Sequence, residues 1–236
     1  RVIANTSGAV DEIDFQLKEK TKAGANYFHN LVINGTSAAS GAGFVVNTFD
    51  GLKKILSGSD TEYTSESDIS TSALLDTNYN AFLDAFISKL AEKPDILLMN
   101  NEMLTKTRAA ARRAGFYERS VDGFGRTVEK YNGIPMMDAG QYYNGSATVD
   151  VIETSTPSTS AYGETDIYAV KLGLNAFHGI SVDGSKMIHT YLPDLQAPGA
   201  VKKSEVELLA GAILKNSKMA GRLKGIKIKP KTTAGG

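Results

Sequence analysis

Cysteine is absent from the 236 residues. That excludes disulfides, thiolate metal sites and a cysteine nucleophile. Histidine is scarce, at His29, His178 and His189. None of the three lies within four residues of another, whereas zinc sites draw on His, Cys or carboxylates at close spacing. No apolar run approaches the roughly 18–20 residues of a membrane span. The first residues carry no secretory-leader pattern, and Arg1 in place of Met reads as an internal start. Charge of one sign is also lacking: 26 Lys and Arg balance 26 Asp and Glu. A dedicated nucleic-acid binder needs an excess of cations to displace counterions from phosphates.

Catalytic signatures are missing as well. Gly41-Ala42-Gly43-Phe44 has no Lys-Ser/Thr after it and does not stand between a strand and a helix, so it is not a phosphate loop. Asp122-Gly123-Phe124-Gly125 reads as turn chemistry, and no G-x-S-x-G elbow exists. The carboxylate pairs Asp11-Glu12 and Glu205/Glu207 read as solvated faces rather than as a sugar cleft's acid and base. Arg108, Arg112 and Arg113 lie at i, i+4 and i+5 on an expected helix, where they suit a neighbour's acids or a phosphate, or simply a solvated face.

What is present is an ordinary globular composition, 42% apolar and 22% charged, long enough for a sizeable core. Ile13, Leu17, Gly24, Phe28 and Leu31 recur at helical spacing, so Ala9 to Val32 is expected to be a long amphipathic helix, ended by Asn34-Gly35 adopting a left-handed backbone. A short apolar turn follows from Phe49 to Leu56. Ser57 to Ser72 reads as an exposed loop. Tyr79, Phe82, Leu83, Phe86, Ile87 and Leu90 mark a helix over Asn78–Ala91, stopped by Pro94, with its aromatic stripe as core.

Asp95–Met99 reads as a strand covered on both faces. Asn100 or Asn101 then caps a helix through Ala114. Arg126–Tyr131 and Ala147–Glu153 are strand candidates, and Thr154–Thr165 a polar surface loop. Ile167–Leu172, Ala176–Val182 and Met187–Leu192 suggest a meander. Val206–Leu214 leans to strand, a short helix is expected at Ser217–Leu223, and the basic tail from Lys227 is expected to fray. Helices packed on a sheet make the class α+β.

The order of landmarks carries a resemblance. Phe28-His29-Asn30-Leu31-Val32-Ile33-Asn34-Gly35 closes the first helix and Phe49-Asp50-Gly51-Leu52 follows. The helix–strand–helix run from Asn78 to Ala114 comes next. Then come Tyr131-Asn132-Gly133-Ile134-Pro135-Met136-Met137, Asp166-Ile167-Tyr168-Ala169-Val170, Gly179-Ile180 and a closing Gly225-Ile226-Lys227-Ile228. This sequence of features resembles the tailed-bacteriophage major capsid proteins of the Hong Kong 97 type, a shell fold shared with encapsulins, over nearly the whole chain.

The resemblance implies a peripheral domain, with a long spine helix and a sheet, and an axial domain, a mixed sheet flanked by helices. It divides the chain into residues 1–56 as part of the peripheral domain, 57–165 as mostly axial, and 166–236 as the remaining axial strands and the return to the periphery. It implies a non-enzymatic subunit without cofactors or metal. Copies of it would form hexamers and pentamers that close into an icosahedral virion shell around double-stranded DNA, held only non-specifically. Scaffolding and portal proteins are the further partners implied, assembly is in the bacterial host cytoplasm, and no membrane is involved.

The family's N-terminal arm and extended loop are expected to be missing, which would leave the isolated chain monomeric. Phe49, Asp50, Gly51, Leu52, Arg108, Arg112 and Arg113 are the candidate assembly contacts. The competing readings are an encapsulin-like compartment shell, a two-lobed enzyme such as a glycosidase, and a cell-surface binding module.

Overall fold

The computed structural model describes residues 12–37, 48–65, 68–114, 118–121, 127–182, 187–192 and 203–232. The glycine pair at 41–43, the Asp122–Gly125 turn, Asp11 and the end of the tail lie outside them.

A seven-stranded mixed sheet is the backbone of the molecule, in the order β1-β13-β8-β2-β5-β4-β3. Its strands are β1 (Glu62–Thr64), β2 (Ile96–Met99), β3 (Glu118–Val121), β4 (Thr127–Tyr131), β5 (Ile134–Asp138), β8 (Gly163–Val170) and β13 (Ala220–Lys229). β1 and β13 pair in parallel, as do β2 and β5, and the other neighbours are antiparallel. β2 is apolar throughout because both its faces are covered. Leu97 and Met99 enter one hydrophobic cluster, and Ile96 and Leu98 pack against a second. β8 divides in the same way, with Ile167 and Ala169 on the first side and Tyr168 and Val170 on the other.

The first cluster is roofed by α3 (Ser72–Ile87) and α4 (Asn101–Ala114), and Tyr79, Phe82, Leu83 and Phe86 form its centre. The second lies under the C-terminal end of α1 (Glu12–Asn34), α2 (Leu52–Ile55) and the residues Ala139, Val151 and Ile152 that flank the hairpin β6 (Gln141–Tyr143) and β7 (Thr148–Asp150).

Several expectations are corrected. Residues 57–72 are not an exposed loop: they contain β1, and Thr61, Ser65 and Ile69 are buried. α3 starts six residues before Asn78 because Thr71 accepts a hydrogen bond from the Leu74 amide and caps it. It ends at Ile87, ahead of Pro94. The meander does not form: β8 stays in the large sheet, while β9 (Phe177–Ser181) pairs with β12 (Ala210–Leu214) and β10 (Ile188–Tyr191) with β11 (Glu205–Leu208). β9 and β10 run out and β11 and β12 run back as a two-stranded ribbon outside the main sheet. The lean to strand over 206–214 holds.

Only a 3-10 turn forms at Ser217–Met219. The supposed helix end and the first residues of the supposed tail, Lys227–Lys229, belong to β13, the longest strand among the described residues, with Leu223, Ile226 and Ile228 buried. Asn34-Gly35 does end α1, but Gly35 is not left-handed. A Cβ there would stand 2.4 Å from the carbonyl oxygens of both Leu31 and Phe49, so glycine is required by crowding.

Candidate assembly surface

The sequence singled out Phe49-Asp50-Gly51-Leu52, and the fold uses each residue differently. Leu52 is fully buried in the second cluster. Gly51 donates its N–H to the Gly35 carbonyl at 2.8 Å, and a Cβ on it would lie 2.6 Å from both the Gly35 nitrogen and the Leu31 oxygen. The two glycines therefore let the entry to α2 run against the end of α1, backbone on backbone.

Asp50 accepts hydrogen bonds from the Ser37 amide and hydroxyl, each at 2.7 Å, and pairs with Lys54 at 2.8 Å. The bond from Lys54, then those from Ser37, hold its carboxyl down to about 2. Phe49 stacks at a tilt on Phe28 of α1, ring centroids 5.7 Å apart. Phe49 and Asp50 are part-exposed, while Gly51 and Leu52 face inward and act on the surface only through the shape they impose.

The arginines sit elsewhere, on α4 above the first cluster. Arg108 forms an ion pair with Glu129 of β4 within the chain. Arg112 and Arg113 are exposed in the last turn, where cations suit the negative helix end. Their Nε atoms donate to the carbonyls of Arg108 and Ala109, one turn back. The two predicted groups thus belong to opposite faces of the sheet and are not brought together.

Nor are the other candidates for chemistry. His29 is on α1, His178 on β9 and His189 on β10, and no group of His, Cys, Asp or Glu among the described residues is placed to hold a metal. Burial lowers the His29 pKa, partly opposed by Asp138. Glu205 and Glu207 share one exposed face of β11, where Glu207 accepts from the Tyr191 hydroxyl at 3.2 Å.

Two features were not legible in the sequence. One is a largely buried charge cluster around Arg222 of β13, on the sheet face that also carries Tyr168 and Ala220 of the second cluster. Arg222 donates to Asp166 through Nε and Nη2, at 2.9 and 2.7 Å, and to Glu62 through Nη1, at 2.9 Å. Lys224 adds a contact to Glu62 at 3.0 Å. Glu62 keeps a lowered pKa although its burial works the other way, because the Gly58 amide, Lys224 and Arg222 together outweigh that cost. Partners 160 residues apart give no local signal. The other is an apolar hollow of about 600 Å³, walled by Phe49 and by Ile180, Val182, Leu208, Leu209 and Gly211 of the ribbon.

No protein-family model matches the chain, and no curated protein matches its sequence. Solved structures do match by shape. An encapsulin of Synechococcus elongatus PCC 7942, solved as the holo-SrpI encapsulin complex, superposes with a TM-score of 0.68 at 13% identity, over 99% of this chain and 72% of its own. A chain described as a prophage capsid protein of Escherichia coli CFT073 superposes with a TM-score of 0.57 at 9% identity, over 90% of this chain and 66% of its own. The fold is therefore the Hong Kong 97-type shell fold, as the order of landmarks implied.

Proposed function

We propose that this protein is a structural subunit of an icosahedral viral capsid. Its copies form hexamers and pentamers that close around double-stranded DNA. The observation that carries the shell-subunit part of the reading is the match of 99% of the chain to an encapsulin, and the match of 90% of the chain to a prophage capsid protein supports its viral form. On this reading α1 is the spine of a peripheral domain, residues 57–165 supply most of an axial domain, and residues 166–236 complete both. Scaffolding and portal proteins are its expected partners besides its own copies, the packaged DNA is held without sequence preference, and the assembled place is the virion.

The physical chemistry agrees. Shell strength comes from modest contacts multiplied by symmetry, not from one reactive centre. A charge-balanced subunit packs beside many copies without strong self-repulsion. The inward carboxylates Glu62, Glu129 and Asp166 are each paired with an arginine, which supports a non-enzymatic role. Of the seven candidate contacts, Phe49, Asp50, Arg112 and Arg113 retain exposed surface for a neighbour, while Gly51 and Leu52 shape the junction behind them and Arg108 is committed to Glu129.

An encapsulin-like compartment is the second reading, favoured by the higher TM-score of the encapsulin. Negative-stain electron microscopy with light-scattering mass, on the gene's complete product and on this chain, tests both. Closed shells or capsomer rings from the complete product support a shell subunit. A 25.2 kDa monomer from this chain and an unassembled complete product at every concentration would sink it. Nuclease-protected DNA inside the shells selects the capsid, and enclosed protein without DNA selects the compartment.

A further inference from the structure

Three Asn-Gly pairs occur in the chain, at 34–35, 132–133 and 144–145. Such a pair can react with itself. The glycine nitrogen, once it gives up its proton, attacks the side-chain carbonyl carbon of the asparagine. A cyclic imide forms, ammonia leaves, and water opens the ring to aspartate or isoaspartate. The step needs a nitrogen in reach of an unengaged carboxamide, and it gains from donors on the oxygen where charge develops. The fold denies these conditions to two of the pairs and supplies them to the third.

Asn34 closes α1, and its Nδ2, the leaving group, donates to Asn30 Oδ1 at 2.8 Å and to the Val151 carbonyl at 2.7 Å. The Gly35 N–H is engaged by the Leu31 carbonyl at 2.9 Å, and Gly35 is buried. Asn132 and Gly133, at φ 49° and 73°, link the paired residues Tyr131 and Ile134, which is the two-residue loop of a type I′ turn. That left-handed backbone sets the Gly133 nitrogen anti to the Asn132 side chain, out of reach of its carboxamide.

At the tip of the β6–β7 hairpin the pair is open. Asn144 and Gly145 are exposed, and nothing beyond the chain neighbours crowds Gly145. Among the described residues, none takes a hydrogen bond from the Gly145 nitrogen or from Asn144 Nδ2. Asn144 Oδ1 accepts from the Ser146 and Ala147 amides, each at 2.9 Å, the distance at which paired donors stabilise a developing oxyanion. The Tyr143 hydroxyl donates to the Gly145 carbonyl at 2.8 Å and so holds the peptide whose other end is the Ser146 N–H. We infer that Asn144 is a self-modification site, converting through the imide to aspartate and isoaspartate with loss of ammonia, and that the Ser146 and Ala147 amides are its oxyanion donors. Each event makes a neutral hairpin tip anionic and tips a chain of 26 cations and 26 anions toward negative charge.

The test is incubation of the folded protein in mildly alkaline buffer, with peptide mass spectrometry and electron-transfer fragmentation to locate aspartate and isoaspartate at each Asn-Gly pair. The same chain held unfolded in urea is the reference, because there all the pairs are exposed alike. The expected result is conversion at Asn144 in the folded chain at least as fast as in urea, while Asn34 and Asn132 convert only in urea. Ser146→Pro removes one donor and is expected to slow the folded reaction about tenfold, less than the ~10²–10³ of a water-excluded site, with little change in urea. Tyr143→Phe leaves the backbone intact and is expected to slow the folded reaction in the same direction. Slower conversion of Asn144 in the folded chain than in urea overturns the site. Conversion of folded Asn34 or Asn132 at the Asn144 rate overturns the selection by the fold. Unchanged folded rates in both variants overturn the oxyanion donors.

Discussion

Asn100 shows how much one side chain carries here. Its Oδ1 accepts the Met103 amide at 2.8 Å and caps α4, while its Nδ2 reaches the Ile152 carbonyl and the hydroxyls of Thr154 and Thr165 at 2.7–3.1 Å. The residue is 1% exposed. Asn100→Ala loses a helix cap, about 1 kcal/mol, and strands buried acceptors, about 1–3 kcal/mol. A destabilisation of roughly 2–4 kcal/mol is expected in urea unfolding; one below ~1 kcal/mol would show the network to be replaceable by water. The cap was legible in the sequence, because Asn precedes a run of helix formers. The three remote acceptors were not, because nothing local links residue 100 to 152–165.

Asp50 makes a prediction of a different kind. Its folded pKa of about 2 lies below the ordinary 3.8. Its contribution is therefore complete above about pH 4 and is lost as the pH falls toward 2. The group is part-exposed, so the effect is that of a surface pair, at most about 1 kcal/mol. Asp50→Asn should lower the thermal midpoint slightly at pH 6 and flatten its fall between about pH 4 and 2. A variant whose acid dependence in that window equals the parent's would show that Asp50 is not engaged.

Among the elements, β13 was the hardest to read and is among the most important. Its alternation is broken by irregularities between Leu223 and Ile226 and between Lys227 and Lys229, with Gly225 left-handed at φ 72°. Arg222, Lys224, Lys227 and Lys229 alternate with the core residues and are only part-buried, so the segment looks like a basic tail, while Leu223, Ile226 and Ile228 fill the first cluster. Gly221 is required because a Cβ there would meet Phe86 and Leu90 of the α3 region at 2.9 Å.

Flanked by β1 and β8, β13 is an interior strand, not a terminus free to fray. Amide hydrogen exchange should place Leu223 and Ile226 among the slowest amides, and exchange as fast as in residues 230–232 would contradict that placement. α3 and α4 were legible because helices announce themselves within a few turns. Strand partnership depends on chain brought from far away.

At the scale of the whole molecule, one sheet is shared by two hydrophobic clusters, with β2 and β8 feeding both. Loss of the sheet empties both cores, so near-ultraviolet and far-ultraviolet transitions are expected to coincide in thermal unfolding of the isolated chain. Separate midpoints would mean that the two faces unfold as independent units.

The sequence by itself determined the α+β class, the two roofing helices, the aromatic core stripe, the buried centre strand and the order of landmarks that resembles a shell subunit. All of these are written in local periodicity or in linear order. Only the tertiary structure decided that Gly35 and Gly51 are glycines for closeness, that β13 threads the sheet between β1 and β8, and that the ribbon stands apart with an apolar face turned to solvent. Those outcomes rest on contacts between residues tens to more than a hundred positions apart, and such contacts exist only once the chain has folded.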